Sequence, residues 1–539
     1  MKAHYSQTVR GNEASIEYIF TKYDPKEKAI TGEYGYPDYG NNSVHIEALT
    51  SGYYCPDSRY HKCGRILILI NEMIDYLERS FRHNYTCDNM ESDFYAGPIL
   101  VTIYMSRAYR IMERYAETEE ETALKKRLFV FLFKPAIGIY NGGIITPNHR
   151  WMAASSTSML HNILGLKCMK ERTDLLLREG IDIDENGEYT ERSPMYNKES
   201  DCAMIIIAEE LKDPKYLEYV KRNLDLMFLY IEPNMTMFTQ NSNRKDKQEG
   251  DVTAVFYPYS YYYLYLHMSY LTGNAKYAYM ANEIFKKYVG LYGRGIDLLW
   301  MYELYTGLSE FEPEMEEYDK TYHVFHRDIV RKRKDDLSVT ILTRSPNFLF
   351  VQKGDLRVFV RICASFFAVA QFVPEKITRM GENTYYMSMK AHGEYYGPLS
   401  VKPATSKWTE MDHSLRPVVN AVDLEYFLTL TLEDKKVSLD IKTQGVDNVP
   451  YKVEFCLSPS CTVRNKGELY AGEADKFLSL DGGDMEIEKN DDRLVIKDSF
   501  SKHTFHNVMR GSIAPSKGSF TIYYTDFTMI DKRIDIIAR

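Results

Sequence analysis

The feature that most constrains this chain is a change in the spacing of its apolar residues near Tyr322. Upstream, apolar residues recur at i, i+3, i+4 and i+7. GRILILINEMIDYLERSF, beginning at Gly64, shows the pattern clearly, and such spacing lays one apolar stripe along an α-helix. From about Gly64 to Leu308 the same reading predicts further helices around 94–116, 120–138, 149–170, 194–212, 215–231, 254–272, 275–292 and 296–308, separated by loops such as DPKY and TGNAKY. Downstream, DLSVTILTRS, LRVFVRICASFF, EYFLTLTLEDKKVSLDIKT, YKVEFCLS, RLVIKDSF, GSFTIYYTDF and KRIDIIAR alternate with a period of two and are rich in β-branched and aromatic residues. No helical pattern separates these strands, which argues against a parallel βαβ sheet. A chain of 539 residues is also too long for one hydrophobic core. The expected fold is therefore α+β and multidomain: an α/α toroid of helical hairpins over residues 1–315, followed by an antiparallel β-sandwich over 316–539. The charged run RDIVRKRKDD at the join reads as a solvated strand edge or linker.

Composition narrows the function. The apolar share of 44% and charged share of 27% are ordinary for a globular enzyme, and a net charge of -9 argues against a nucleic-acid partner. No stretch approaches the roughly 20 apolar residues of a membrane-spanning helix, so no membrane partner is expected. MKAHYSQTVRGNEASIEYIF lacks the apolar core of a secretory signal, which makes a cytoplasmic protein the expectation unless the chain is a mature form, which would be periplasmic or secreted. The eight cysteines form no CxxC pair; Cys55, His61, Cys63 and Cys87 match no standard zinc spacing and read as scattered thiols. There are 45 Tyr and 25 Phe but only 3 Trp. Tyrosine, with an apolar face and a hydroxyl, suits a sugar-binding groove, and equally suits a core. A monomer or homodimer fits this aromatic-rich helical surface.

Three polar clusters precede predicted helices: TPNHRW (Thr146 to Trp151), GEYTERSPMYN (Gly187 to Asn197) and TQNSNRKDKQEGD (Thr239 to Asp251). In the second, Ser193 reads as an N-cap, Pro194 as the first helical residue and Tyr196 as part of the first turn. In an up-down array every second helix starts at the same rim, so all three clusters should share one rim, along with the loop FRHNYTCDNMESDFY. Helix starts present unpaired N–H groups and a positive dipole. Asn148 and His149 there would suit a uronate carboxylate, Arg244 could add a bidentate contact, and Tyr196 offers a phenol with an ordinary pKa of about 10. That set matches β-elimination: carboxylate binding acidifies the adjacent C–H, a base removes the proton, and an acid protonates the departing glycosidic oxygen. Each residue has a plainer reading too. Asn148 could be a cap, His149 a packing histidine, Tyr196 a core ring, and Arg244 with Asp246 a surface ion pair. A glycoside hydrolase would instead need two carboxylates, for which Glu191 with Asp246 or Asp251 are the candidates. A non-catalytic glycan-binding protein is the third reading.

At NHRW and DENGEYTERSPMYN the chain resembles the heparinase II/III-like polysaccharide lyases, the second segment being similar to the family's Gly-x-Tyr/Phe-x-Glu-x-Ser…Tyr pattern. The resemblance implies an α/α toroid followed by a β-sandwich, Asn148 neutralising a uronate carboxylate, Tyr196 as Brønsted acid or base, and His149 as a partner base. It also implies a histidine from the sandwich, with His392 in MKAHGEYYGPL preferred to His413, and a rim of substrate contacts drawn from Trp151, Glu191, Arg192, Asn241, Arg244, Asp246 and Tyr396. Arg192 stands where relatives commonly carry Gly. The resemblance allows a structural divalent metal in the sandwich, for which no ligand cluster is legible, and otherwise calls for no cofactor.

Overall fold

The computed structural model of the protein describes residues 2–32, 35–87, 96–247, 255–289, 312–326, 328–507 and 509–539. The expected helix at 296–308, the helix start near Val252, the carboxylate of Asp251 and the end of the FRHNYTCDNMESDFY loop lie outside the described residues. The chain forms two compact units. The first comprises Met1–Tyr230, Ser242–Asp246 and Tyr257–Tyr318; the second comprises Ile231–Asn241, Lys247–Phe256 and Asp319–Arg539.

The first unit is an α/α toroid. Its described helices are α1 (Lys2–Lys22), α2 (Tyr39–Tyr54), α3 (Gly64–Ser80), α4 (Ala96–Tyr115), α5 (Glu119–Phe131), α6 (Phe133–Asn141), α7 (Pro147–Leu164), α8 (Lys167–Arg178), α9 (Pro194–Leu211), α10 (Lys215–Tyr230), α11 (Tyr262–Thr272) and α12 (Ala275–Ile284). α2 packs on α4, α4 on α7, α7 on α9 and α9 on α11, while α3, α5, α8, α10 and α12 return beside them. The two sets differ as their sequences require. α3 buries one stripe, Ile66, Ile70, Met73, Ile74 and Leu77 among it, whereas α2 is buried on nearly every face. An inner helix enclosed by neighbours has no polar face to show, so its sequence loses the helical period.

Local chemistry sets the ends. The segment expected as one helix over 120–138 is two, because Pro135 lacks the N–H that would bond the Phe131 carbonyl; the break falls at Leu132. The expected 149–170 helix stops at Gly165, whose φ of 70° is the left-handed turn that glycine makes without a Cβ clash. Thr118 and Glu121 form a reciprocal capping box at the start of α5. α1 and α2, which precede Gly64, were not visible in the apolar spacing.

The second unit is a β-sandwich. Among the described residues one sheet has nine strands and the other eight, antiparallel except where Phe477–Leu478 pairs parallel with Phe520–Phe527. Val418–Leu432 shows the period-two reading directly: Leu424, Tyr426, Leu428, Leu430 and Leu432 are buried in the shared core with Val339, Val360, Val453 and Phe455 of the facing sheet. One expectation is overturned here. RDIVRKRKDD is neither an edge nor a linker: Ile329–Lys334 lies between Tyr322–His326 and Leu337–Leu342, with Arg331 and Arg333 buried. Arg331 pairs with Glu232 at 3.0 Å, bonds Thr340 and Tyr322, and stacks on Phe238, so these charges are matched inside the fold. No helix among the described residues is long and apolar enough to cross a membrane. Among them, too, no three His, Cys, Asp or Glu side chains converge on a possible metal position.

Candidate active site

A seven-residue turn leads towards several inner helices, and one of these turns builds the site. In Phe81–Cys87, Ile183–Tyr189 and Ile231–Met237 the first and last residues bridge, the second N–H bonds the sixth carbonyl, and the fifth residue takes a positive φ. Asn84, Asn186 and Asn234 fill the fourth place, and Tyr85, Gly187 and Met235 the fifth. Only Gly187 lies so close to neighbouring backbone, with a Cβ position 2.2 Å from the Arg222 carbonyl oxygen, that no side chain fits. The turn ending at Tyr189 delivers Glu191, Arg192 and Ser193 to the start of α9.

There Ser193 caps the helix, accepting from the Tyr196 N–H at 3.2 Å, with Pro194 at the first helical position. The Ser193 hydroxyl donates to Asp246 at 2.7 Å. Asp246, buried, also accepts from the Met195 N–H at 3.3 Å and from the Ser242 hydroxyl, so the segment Ser242–Asp246 is pinned to the start of α9. Asn243 completes the tie: its N–H bonds the Glu191 carbonyl and its amide bonds the Thr190 carbonyl. Arg244, carried on that segment, places its guanidinium 4.2 Å from the centre of the Tyr196 ring, and its bond with the Tyr196 hydroxyl raises the guanidinium pKa.

Glu191 links the two helix starts. One carboxylate oxygen accepts from the Asn148 N–H of α7 at 3.2 Å, and the other lies 3.3 Å from Arg244. Burial pushes its pKa up, against the opposing pull of Arg244 and the Asn148 N–H. An internal carboxylate therefore occupies the helix-start position first assigned to the uronate alone. Asn148 is buried, and its side-chain oxygen accepts from the Thr146 hydroxyl. His149 follows it, half-buried, in the first turn of α7.

The first unit thus brings together Asn148, His149, Glu191, Tyr196, Arg244 and Asp246 around the starts of α7 and α9. Arg192 adjoins them with φ of 50°, the left-handed region that favours glycine, and its charge bears on Glu188. Two expectations change. Trp151, expected among the substrate contacts, is fully enclosed, with Arg150 over its ring at 3.9 Å, so it offers no free face to a sugar. Asp246, a candidate acid or base, is spent as a structural acceptor for three donors. Asn241, half-buried, precedes Ser242 in the chain and belongs to the second unit.

His392 and Tyr396 lie in the second unit on the exposed end of the strand Thr384–Tyr396. The His392 ring meets Asp423 at 2.6 Å through Nδ1 and Glu394 at 3.1 Å through Nε2, and these bonds raise its pKa, Asp423 most. Tyr396 donates to the same Glu394. His413, the other sandwich candidate, bonds the Trp408 carbonyl at 2.7 Å. Residues the sequence reading passed over include Glu188, held by Asn197 and Tyr230, and Ser242. The recurrent turn with Asn in its fourth place was the available signal for Glu188.

No protein-family model matches the sequence, and no curated protein matches it either. Solved structures do match its fold. The xanthan lyase of Paenibacillus aligns over 99% of this chain with a TM-score of 0.61 at 8% identity, and this chain spans 57% of that enzyme. The chondroitin AC lyase of Streptomyces coelicolor A3, solved with chondroitin sulphate, aligns over 99% with a TM-score of 0.57 at 10% identity and is covered over 79% of its length. A chondroitinase AC lyase solved with oligosaccharides aligns over 99% with a TM-score of 0.51 at 10% identity, covered over 82%. The chain has the toroid and β-sandwich fold of these polysaccharide lyases.

Proposed function

We propose that this protein is a polysaccharide lyase that cleaves a uronate-containing glycan by β-elimination, with Tyr196 as the proton-transfer group. The observation that carries the reading is the Arg244 guanidinium against the Tyr196 ring, beside Glu191 and Asn148 at two adjoining helix starts. A cation there stabilises a phenol oxygen as it gives up or takes up a proton. The Asn148 oxygen is engaged by Thr146, leaving its amide N–H groups as the donors a uronate carboxylate would take. With that carboxylate bound, the adjacent C–H loses its proton and the glycosidic oxygen leaves with one, His149 being the partner base. The shared fold with xanthan and chondroitin lyases supports this reading.

The hydrolase reading with Glu191 and Asp246 is weaker because Asp246 already serves three donors, while the raised pKa of Glu191 would suit a general acid; its other candidate partner, Asp251, lies outside the described residues. Products separate the two: elimination leaves an unsaturated, ultraviolet-absorbing uronate. Tyr196→Phe is expected to lower kcat on a cognate uronate glycan by about 10²–10⁴-fold while binding persists. Unaltered turnover in that variant would remove Tyr196 from the chemistry. Loss of turnover with binding kept would exclude a purely glycan-binding protein.

A further inference from the structure

A cavity of about 60 Å³ lies inside the first unit, enclosed by α2, α4, α7, α9 and α11. About 10–15 Å³ of such space admits one water, so it holds roughly four to six, near what one sugar ring displaces. Its lining gives its depth. Glu199 stands about one turn below Tyr196 on α9, with Lys198 beside it in the chain, and Met152 one turn below Asn148 on α7. At 1.5 Å per residue, Lys198 lies roughly 6 Å from its helix start and Arg107 of α4 roughly 16 Å from its own. Exposure falls along the same direction: Lys198 and Glu199 side chains are 18% and 36% exposed, those of Arg107 and Glu47 9% and 3%. The wall at depth includes the buried, small Ala203. A space that begins about one turn below the starts of α7 and α9 and ends among buried side chains admits a chain end, not a chain passing through.

Charge narrows what enters. Arg107 faces Glu47 at 3.6 Å and Lys198 meets Glu199 at 2.9 Å, so each cation of the lining is matched by an acid. Paired charges bind sugar hydroxyls from both donor and acceptor sides, whereas a sulfate needs a cation not already neutralised. We propose that the cavity is a terminal subsite for the last sugar of a non-sulfated chain, so that the enzyme works from a chain end and releases short products. This rests on the lyase reading of the Tyr196 site.

The test uses non-sulfated uronate oligosaccharides of defined length carrying a label at the reducing end. One short unsaturated product from the first turnovers is expected; an early ladder of intermediate lengths overturns the proposal, as does equal turnover of sulfated chains. Ala203→Leu, which takes up part of the cavity, should lower kcat/KM at least tenfold with an unchanged circular dichroism spectrum, and unchanged kcat/KM overturns it. If Ala203→Leu does not fold, Lys198→Ala at the mouth is read in the same way. If no uronate glycan yields an ultraviolet-absorbing product, the elimination reading fails alone. Calorimetric titration of the same oligosaccharide then decides the subsite, because equal affinity for wild type and the cavity variant overturns it.

Discussion

Glu188 sits three residues before Glu191, and its environment strongly alters its titration. Burial pushes its pKa up to about 7, outweighing bonds from Tyr230 and Asn197 and the nearby charge of Arg192. The folded protein therefore holds a proton there that the unfolded chain releases near the ordinary carboxylate value. Between those two values the native state binds more protons than the unfolded state, so stability falls as pH rises from about 4.5 to 7 and levels off above. The full shift corresponds to about 3 kcal/mol. Glu188→Gln should flatten that part of the dependence, and melting curves of both proteins from pH 5 to 8 read the difference. Parallel slopes would show that Glu188 is already ionised. At this scale the site was half legible. Asn148, Ser193 and Tyr196 stand out because caps and helix starts have local rules, and Arg244 because a basic residue precedes an expected helix. The enclosure of Trp151 and the engagement of Asp246 were not legible, since both depend on segments some 50 residues away in sequence, or on neighbouring helices.

At the scale of elements, the start of α9 depends on a segment that is not helical at all. Asp246 gathers Ser193, Met195 and Ser242, and without it the carrier of Arg244 is held to the start of α9 mainly by the bonds of Asn243. Asp246→Ala leaves three donors unmatched at about 1–3 kcal/mol each, so a loss of at least about 3 kcal/mol is expected. Because the same bonds aim Arg244 at Tyr196, kcat should fall further than the lost stability explains, measured at a temperature where the variant is fully folded. Kinetics indistinguishable from wild type would mean that Arg244 is positioned by other contacts. The elements themselves were legible in proportion to their exposure. α3 has a solvent side, hence a stripe; α2 has almost none, hence no stripe. Val418–Leu432 alternates because its outward residues meet water, whereas Leu356–Ala364 is buried on both faces and holds even Arg361 inside.

Across the whole molecule, the order of the chain is not the order of its packing. After α10 the chain supplies Ile231–Asn241 to the second unit, then returns to the first with Ser242–Asp246. The excursion matters energetically because it carries Glu232, the buried counter-charge of Arg331, which also accepts the Ser338 hydroxyl. The Ile231 carbonyl accepts from Arg333 at 3.0 Å. Two arginines that a sequence reader would place in water are thus satisfied by residues about 100 positions earlier, a distance at which no local pattern operates. Removing one partner of such a pair leaves an uncompensated buried charge and costs about 3–5 kcal/mol, whereas replacing both with apolar groups costs far less. Glu232→Gln, which keeps size and shape, should therefore raise hydrogen exchange in Ile329–Lys334 and Leu337–Leu342 and lower the stability of the second unit by that amount. Glu232→Met combined with Arg331→Met should recover more than half of the loss. A single-variant loss below about 1 kcal/mol would show that water reaches Arg331 and that the pair is a surface contact.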